Sequence, residues 1–421
     1  MAGATVRLGD LCELIADPVR PGARPDAMYL GLEHLASGRL VPIGGGKASD
    51  MRSNTSAFLP GDVLYGKLRP YLDKAVLAEE AGLCTTELLV LRTKEDVAPR
   101  FLAALVHSPG FVEYAVAGTT GVQHPRTSWA HIREFEAPAL SVDEQHQQAD
   151  LVWLVHDAIS QSEVLVEEVQ ALKRAAMRTL FTRGLRGEAQ KETEIGPVPE
   201  SWEVGRLGQL AEVISTRMTY SELDSLHSSV CEDSIRVLGI KVADMNLPGN
   251  EIELYAAALD KMVDTETVKR RCAPPGTIIF PKRGAAIATN KKRLSTEWTA
   301  FDPNVIGVVA GTKINKALLF QWFQTFDLRT ITDMGPTPQL NKKNLLPLNV
   351  PVPSSVDEQD EIVAVLDAID GKIDLHRRKG VVLEDLFKTL LHKLMTGQIR
   401  VEELELSSRE AMEREKCPAL L

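Results

Sequence analysis

Apolar and polar positions along this chain follow two rhythms. Two stretches of about 40 residues carry apolar side chains in alternating steps of four and three, the pattern of a helix with one long apolar seam. In the first, the seam runs Leu151, Val155, Ala158, Ser162, Leu165, Val169, Leu172, Ala176. In the second, it runs Ile362, Leu366, Ile369, Ile373, His376, Gly380, Leu383, Phe387, Leu390, Leu394. Sustained over several heptads, this predicts coiled-coil helices, each roughly 60 Å long at ~1.5 Å per residue. Elsewhere the apolar runs are short and bounded by turn residues. Residues 63–65 and 277–280 each follow a Pro-Gly pair and read as buried strands. Residues 85–92 and 304–311 read as further strands, each followed by a short helical segment around residues 101–106 and 318–326.

The two rhythms recur together. SVDEQ opens both long helices, at residues 141–145 and 355–359, an offset of 214. LFTRGLR (180–186) and LMTGQIR (394–400) close them at that same offset of 214. Ser141 with Glu144, and Ser355 with Glu358, have the spacing of a capping box, in which hydroxyl and carboxylate each satisfy a backbone N–H of the first turn. Pro138 and Pro353 discourage an earlier start. VRLGDL (6–11) finds a partner in GRLGQL (205–210), and PGDVLYGK (60–67) in PGTIIFPK (275–282). Their offsets are 199 and 215, so the second copy has gained 16 residues between these points. Residues 185–199, polar and rich in Gly and Pro, read as a linker between the halves.

Composition narrows the class. With 421 residues and 44% hydrophobic content, the chain has room for two or more packed domains. No apolar run approaches the ~18 residues of a membrane span, and no basic-then-apolar leader opens the chain, so a soluble, cytoplasmic protein is expected. Cys12, Cys84, Cys231, Cys272 and Cys417 are scattered without a CxxC pair, which predicts reduced thiols rather than disulfides or zinc ligands. The net charge is −10, but thirteen of the acids lie in residues 141–170 and 356–370, which contain no Lys or Arg. Without them, 48 bases face 45 acids. The acid therefore belongs to the N-terminal halves of the helices, where it suits the macrodipole.

Positive charge gathers where the Pro-Gly strands end. Lys67 and Arg69 with Tyr71 follow the first, and Lys282 and Arg283 the second, with Lys291, Lys292 and Arg293 close behind. Residues 261–295 hold nine Lys or Arg and two acids, the footprint expected for phosphate contact. Two Gly-containing loops, residues 118–129 and 334–344, add Gln123, Arg126, Gln339, Asn341 and Lys342, residue types that read base edges and backbone. Signs of catalysis are missing: no GxGxxG after a strand, no Walker lysine loop, no HExxH, no metal-spaced His or Cys set. The balance favours a DNA-binding protein. A stand-alone DNA methyltransferase or nuclease with unfamiliar motifs is the alternative, and a protein adaptor built on the coiled coil is a second.

SVDEQ after a Pro-rich loop, the exit LMTGQIR, PESWEVGRLG (199–208), and PGDVLYGKLRPY and PGTIIFPKRG within the halves together resemble the specificity subunit of type I restriction-modification systems. The resemblance covers nearly the whole chain and implies an α+β fold: two similar mixed α/β target recognition domains joined by two long antiparallel coiled-coil helices, a pseudo-twofold repeat. It places target recognition domains at residues 1–140 and 196–353, spacer helices at 141–195 (with the linker) and 354–403, and an acidic, disordered tail at 404–421. It implies a non-catalytic subunit that reads a bipartite site on double-stranded DNA. The helices would dock two modification (methyltransferase) subunits, with restriction subunits as further partners. The chain itself would hold no cofactor and no metal; S-adenosylmethionine, ATP and Mg would belong to the partners. The first half lacks PESW and has the lighter basic cluster, so the two half-sites need not be alike.

Overall fold

A computed structural model describes residues 4–215, 218–226, 233–333 and 338–403. The chain divides into two compact units, Met1–Val166 with Leu375–Leu421, and Glu167–Asp374. The boundaries expected from sequence fall at helix ends, whereas these fall inside both long helices, because each half-helix packs into the core of its own unit. Both units are mixed α/β. No helix of the described residues is long and apolar enough to cross a membrane.

In the first unit, a four-stranded antiparallel sheet runs in the order Cys12–Ile15, Leu88–Thr93, Val63–Gly66, Ala75–Leu77. A five-stranded mixed sheet runs Pro18–Val19, Thr55–Phe58, Gly82–Thr85, Met28–Leu30, Gly46–Lys47. In the second unit, Ala211–Ile214, Val305–Ala310, Ile278–Pro281, Arg293–Ser295 and Glu253–Leu254 form one sheet, and Leu259–Asp264, Ser234–Ile240 and Trp298–Phe301 another. The first three strands of the leading sheet follow the same path in each unit. In each, too, the strand just upstream of the leading sheet closes on the strand just before a long helix: Val6 faces Ala137, and Gly205 faces Val350.

The Pro-Gly pairs make the turns their composition predicts. Asp62 N–H donates to Leu59 O at 3.1 Å across Pro60-Gly61, and Thr277 N–H to Pro274 O at 3.3 Å across Pro275-Gly276. Gly61 and Gly276 sit at φ +89° and +86°, the type II position where a side chain is strained. The strands that follow are buried throughout.

The long helices span Val142–Arg183 and Val356–Met395. At the first N-terminus the capping box is complete: Ser141 N–H donates to Glu144 Oε2 at 2.9 Å, and Glu144 N–H to Ser141 Oγ at 3.3 Å. At the second, only the hydroxyl half matches expectation, with Glu358 N–H donating to Ser355 Oγ at 3.4 Å. The Glu358 carboxylate, now buried, instead accepts from Trp202 Nε1 at 3.2 Å and Leu185 N–H at 3.4 Å. The Gln of SVDEQ accounts for the rest of the motif. Gln145 Oε1 accepts from Ala98 N–H at 3.0 Å while its Nε2 donates to Leu140 O at 3.1 Å. Gln359 does the same with Asn315 N–H at 2.7 Å and Pro353 O at 3.1 Å. Each buried amide thus ties a long helix to the N-cap of the short helix beside it, Pro99–Leu105 or Lys316–Thr325.

The two helices run antiparallel within each unit. In the first, Val152, Val155 and Ile159 share a core with Phe387, Leu390 and Leu394, and Ser162 Oγ donates to His376 O at 2.9 Å. In the second, Met177, Leu180 and Phe181 share a core with Ile362 and Leu366, and Lys173 Nζ reaches both Asp370 oxygens at 2.7 Å. In the second helix, Ile362, Leu366, Ile373, Phe387, Leu390 and Leu394 are buried, and Ile369 and Leu383 are half-buried, so the seam runs where the step pattern puts it.

The first helix needs a correction. Val155 and Val169 are buried, but Leu151 is half-buried, and Leu165 and Leu172 are 38% and 58% exposed. The other seam column lies one residue later, on Val152, Ile159, Val166 and Lys173. The two columns offer Leu/Val, Ala/Ile, Leu/Val and Leu/Lys as neighbouring choices, so hydropathy does not favour the buried column, and at Leu172/Lys173 it points the other way. The half-buried Lys173–Asp370 pair, also reached by Gln321 Nε2 at 3.0 Å, brings Lys173 into the seam.

The expected linker is also corrected in part. Gln190–Thr193 and Gly196–Pro199 form a hairpin closed through Glu194 and Ile195, residues without a hairpin-turn signal. Cys12 and Cys84 are buried free thiols and Cys272 is a half-buried one, while Cys231, Cys417 and the tail 404–421 lie outside the described residues.

Candidate nucleic-acid interface

Each unit brings its basic strand end and its Gly-containing loop together through the same hydrogen bonds. In the first, Thr127 N–H donates to Lys67 O at 3.0 Å and Arg69 N–H to Pro125 O at 2.8 Å, with Leu68 bridged to Arg126. In the second, Leu340 N–H donates to Lys282 O at 2.9 Å and Gly284 N–H to Pro338 O at 2.9 Å, with Arg283 bridged to Gln339. The loops add a matching inner bridge, Thr120 to Arg126 and Asp333 to Gln339. Residues 334–337 of the second loop lie outside the described residues. Two segments about 60 residues apart in sequence therefore make one surface in each unit, which the sequence alone does not show.

On the first surface, Lys67 and Arg69 are half-buried and Gln123 is exposed, its carbonyl accepting from Arg69 Nη2 at 3.5 Å. Arg126 lies at the rim, and its guanidinium grips Glu87 through Nε at 2.9 Å and Nη2 at 3.2 Å, a pairing that raises its pKa further. Tyr71 stands out on a turn of its own. Arg69 and Asp73, on either side of that turn, are non-glycine residues in the left-handed region at φ 51° and 49°. Such backbone costs roughly 1–2 kcal/mol per residue and persists only where surrounding contacts hold it.

On the second surface, Lys282 is half-buried and Arg283 exposed. Gln339 is half-buried and Lys342 exposed, while Asn341 caps the one-turn helix Lys342–Leu345, its N–H donating to Asn344 Oδ1 at 2.8 Å. Asp333 accepts from Asn344 Nδ2 at 3.0 Å and pairs with Lys343 at 3.0 Å, and these contacts hold its pKa below the usual carboxylate range. Asn341 is thus occupied in shaping the loop.

The cluster Lys291, Lys292 and Arg293 does not present three phosphate contacts. Lys292 is buried, and its Nζ donates to Phe326 O at 2.6 Å. Arg293 spends its guanidinium on Lys292 O at 2.9 Å and Met245 O at 3.0 Å, and burial lowers its pKa. Lys291 bonds Asn246. The strand Arg293–Ser295 is an inner strand of its sheet, so residues at its start turn toward neighbouring loops rather than solvent. Lys269 and Arg270, part of the same basic stretch of sequence, are exposed at the end of the helix Thr265–Arg271.

Burial brings the Lys292 ammonium down from 10.5 to about 8, with the Asp327 carboxylate opposing the shift. Between about pH 8 and 10.5 the unfolded chain keeps a proton that the folded one has released, so stability rises with pH in that window. Relative to Lys292→Met, the native chain gains up to about 3 kcal/mol across it. Urea unfolding at intervals of pH checks this; parallel stability curves for the two proteins would contradict it.

Residues 280–385 match the model of the type I restriction modification DNA specificity domain. The matched stretch includes Lys282, Arg283 and the loop that meets them. The chain is 25% identical over 358 residues to a putative type I restriction enzyme MjaX specificity subunit from Methanocaldococcus jannaschii, covering 81% of this chain and 79% of that one. It is 24% identical over 302 residues to the MjaVIII specificity subunit of the same organism, covering 68% and 67%. In fold it resembles a type I restriction-modification S subunit from M. genitalium, with TM-score 0.58 at 13% identity over 93% of this chain and 96% of that one. It also resembles a chain from a structural study of type I complex assembly, with TM-score 0.51 at 19% identity over 94% and 98%. The resemblance to type I specificity subunits drawn from the sequence therefore holds.

Proposed function

We propose that this chain reads a bipartite site on double-stranded DNA, one half with each unit, and makes no covalent change to it. Its long helices set the gap between the halves and dock two modification (methyltransferase) subunits, which bring S-adenosylmethionine; restriction subunits using ATP and Mg would complete the assembly. The observation that carries this reading is the recurrence of one surface. A buried strand delivers Lys67 or Lys282 against a loop rich in polar side chains, through equivalent hydrogen bonds in each unit. Two such surfaces on one chain can meet a duplex as a dimer of readers would.

Co-expression with candidate methyltransferase subunits, followed by mapping of methylated bases across the host genome, tests it. Methylation is expected at a two-part motif with a fixed unspecified gap. Inserting one heptad into both long helices adds about 10 Å of helix, so the gap is expected to grow by roughly three base pairs with both halves unchanged. A continuous motif, or a gap indifferent to the insertion, would count against the proposal.

A further inference from the structure

The turn that carries Tyr71 is built more rigidly than an exposed loop requires. Pro70–Leu72 is a single 3₁₀ turn closed by Leu72 N–H to Arg69 O at 2.9 Å and Asp73 N–H to Pro70 O at 3.0 Å. Its two flanks, Arg69 and Asp73, are both left-handed. Each flank is anchored. Arg69 N–H is tied to Pro125 O, while Asp73 O accepts from Gly38 N–H at 2.8 Å and Asp73 Oδ1 lies 2.7 Å from Nδ1 of buried His107. Pro70 is buried. What this frame holds out to solvent is apolar: Tyr71 is 54% exposed and Leu72 38%. Lys67 and Arg69 lie immediately beside them, and Val122 on the adjoining loop is fully exposed.

The second unit has a longer counterpart without the tip. There a 3₁₀ segment, Gly284–Thr289, begins at left-handed Gly284 (φ 69°) and is followed by left-handed Asn290 (φ 53°), and Gly284 N–H is tied to Pro338 O. Its side chains are Ala285, Ala286, Ala288 and Thr289, and its one large apolar residue, Ile287, is buried. Among the described residues, this turn therefore offers an exposed apolar tip on the first surface and none on the second.

We propose that Tyr71, backed by Leu72, is a wedge that enters the duplex at the half-site read by the first unit. It unstacks one base step there, while the second unit leaves its half-site stacked. An apolar side chain on a pre-ordered turn can open a base step because its own ordering cost is already met by the fold. An aromatic face then replaces part of the lost stacking, and Lys67 and Arg69 lie where phosphates of the opened step can be held. The inference rests on the DNA reading proposed above.

The test uses the full chain with its methyltransferase subunits, and duplexes carrying the mapped site with 2-aminopurine at successive positions. One step in one half-site is expected to brighten on binding, and none in the other half. Tyr71→Ala is expected to abolish the brightening and weaken binding by roughly 5- to 150-fold, with Tyr71→Trp retaining most of both. Tight binding with no bright position, brightening in both halves, or brightening that survives Tyr71→Ala would overturn the wedge while leaving the DNA reading intact. So would Tyr71→Ala that leaves DNA binding unchanged but releases the methyltransferase subunits. If the native complex binds no mapped duplex, the DNA reading falls, and the wedge with it.

Discussion

Replacing Trp202 with alanine is expected to cost roughly 3–5 kcal/mol of stability. Its side chain is fully buried, meets Phe181 edge to face at 6.3 Å, and lies in the core with Leu180, Ile362 and Leu366. It is also the donor that stabilises a buried carboxylate, because Trp202 Nε1 and Leu185 N–H are what Glu358 accepts from at its side chain. Truncation opens a cavity and leaves that carboxylate short of a partner, and both effects act in one direction. Trp202→Phe separates them by refilling most of the space without restoring the donor; its loss should be smaller, about 1.5–3 kcal/mol, the share of a hydrogen bond to a charged group. Urea denaturation read by far-UV circular dichroism measures both. An alanine variant within about 1 kcal/mol of the native chain would show that this core relaxes around the gap.

The double substitution Lys282→Ala, Arg283→Ala is expected to weaken binding to the mapped DNA site by roughly one to two orders of magnitude at ~0.1 M salt. The slope of log K against log salt should fall by about 1.8, near 0.9 for each phosphate that the variant no longer neutralises. Arg283 forms the bridge that joins the basic strand end to the second loop, Lys282 O accepts from Leu340 N–H beside it, and Arg283 is exposed. Lys292→Met serves as the internal contrast. Its ammonium is buried on Phe326 O, so removing it should alter stability and leave the salt slope alone. Fluorescence anisotropy of labelled duplex across a salt series decides the matter. A slope that stays put in the double variant, or falls as far in Lys292→Met, would remove this surface from the DNA interface.

Much of this molecule is legible from the chain alone, wherever one short segment determines its own structure. Pro60-Gly61 and Pro275-Gly276 make type II turns because Pro presets one backbone angle and Gly tolerates the next. Ser141 and Glu144 cap a helix because their side chains reach the backbone three residues away. The second long helix shows its seam because along its centre each apolar seam residue is followed by a charged one, as Leu366 by Asp367, Ile369 by Asp370 and Ile373 by Asp374. The repeated Gln of SVDEQ is a visible signal whose meaning is not, since its partners Ala98 and Asn315 lie more than 40 residues upstream.

The amino-acid order by itself determined the repeat, the two long helices, the polarity of their ends and the basic strand ends, all products of local chemistry acting over a few residues. Only the tertiary structure decided which way each long side chain points. It set the first helix's seam on Val152 and Ile159 rather than Leu151 and Ala158, drew Lys292 and Arg293 inward, turned Glu358 from its own cap to Trp202, and left Tyr71 outside. A flexible side chain can reach several partners at similar local cost, and the choice among them is made by groups far away in the chain.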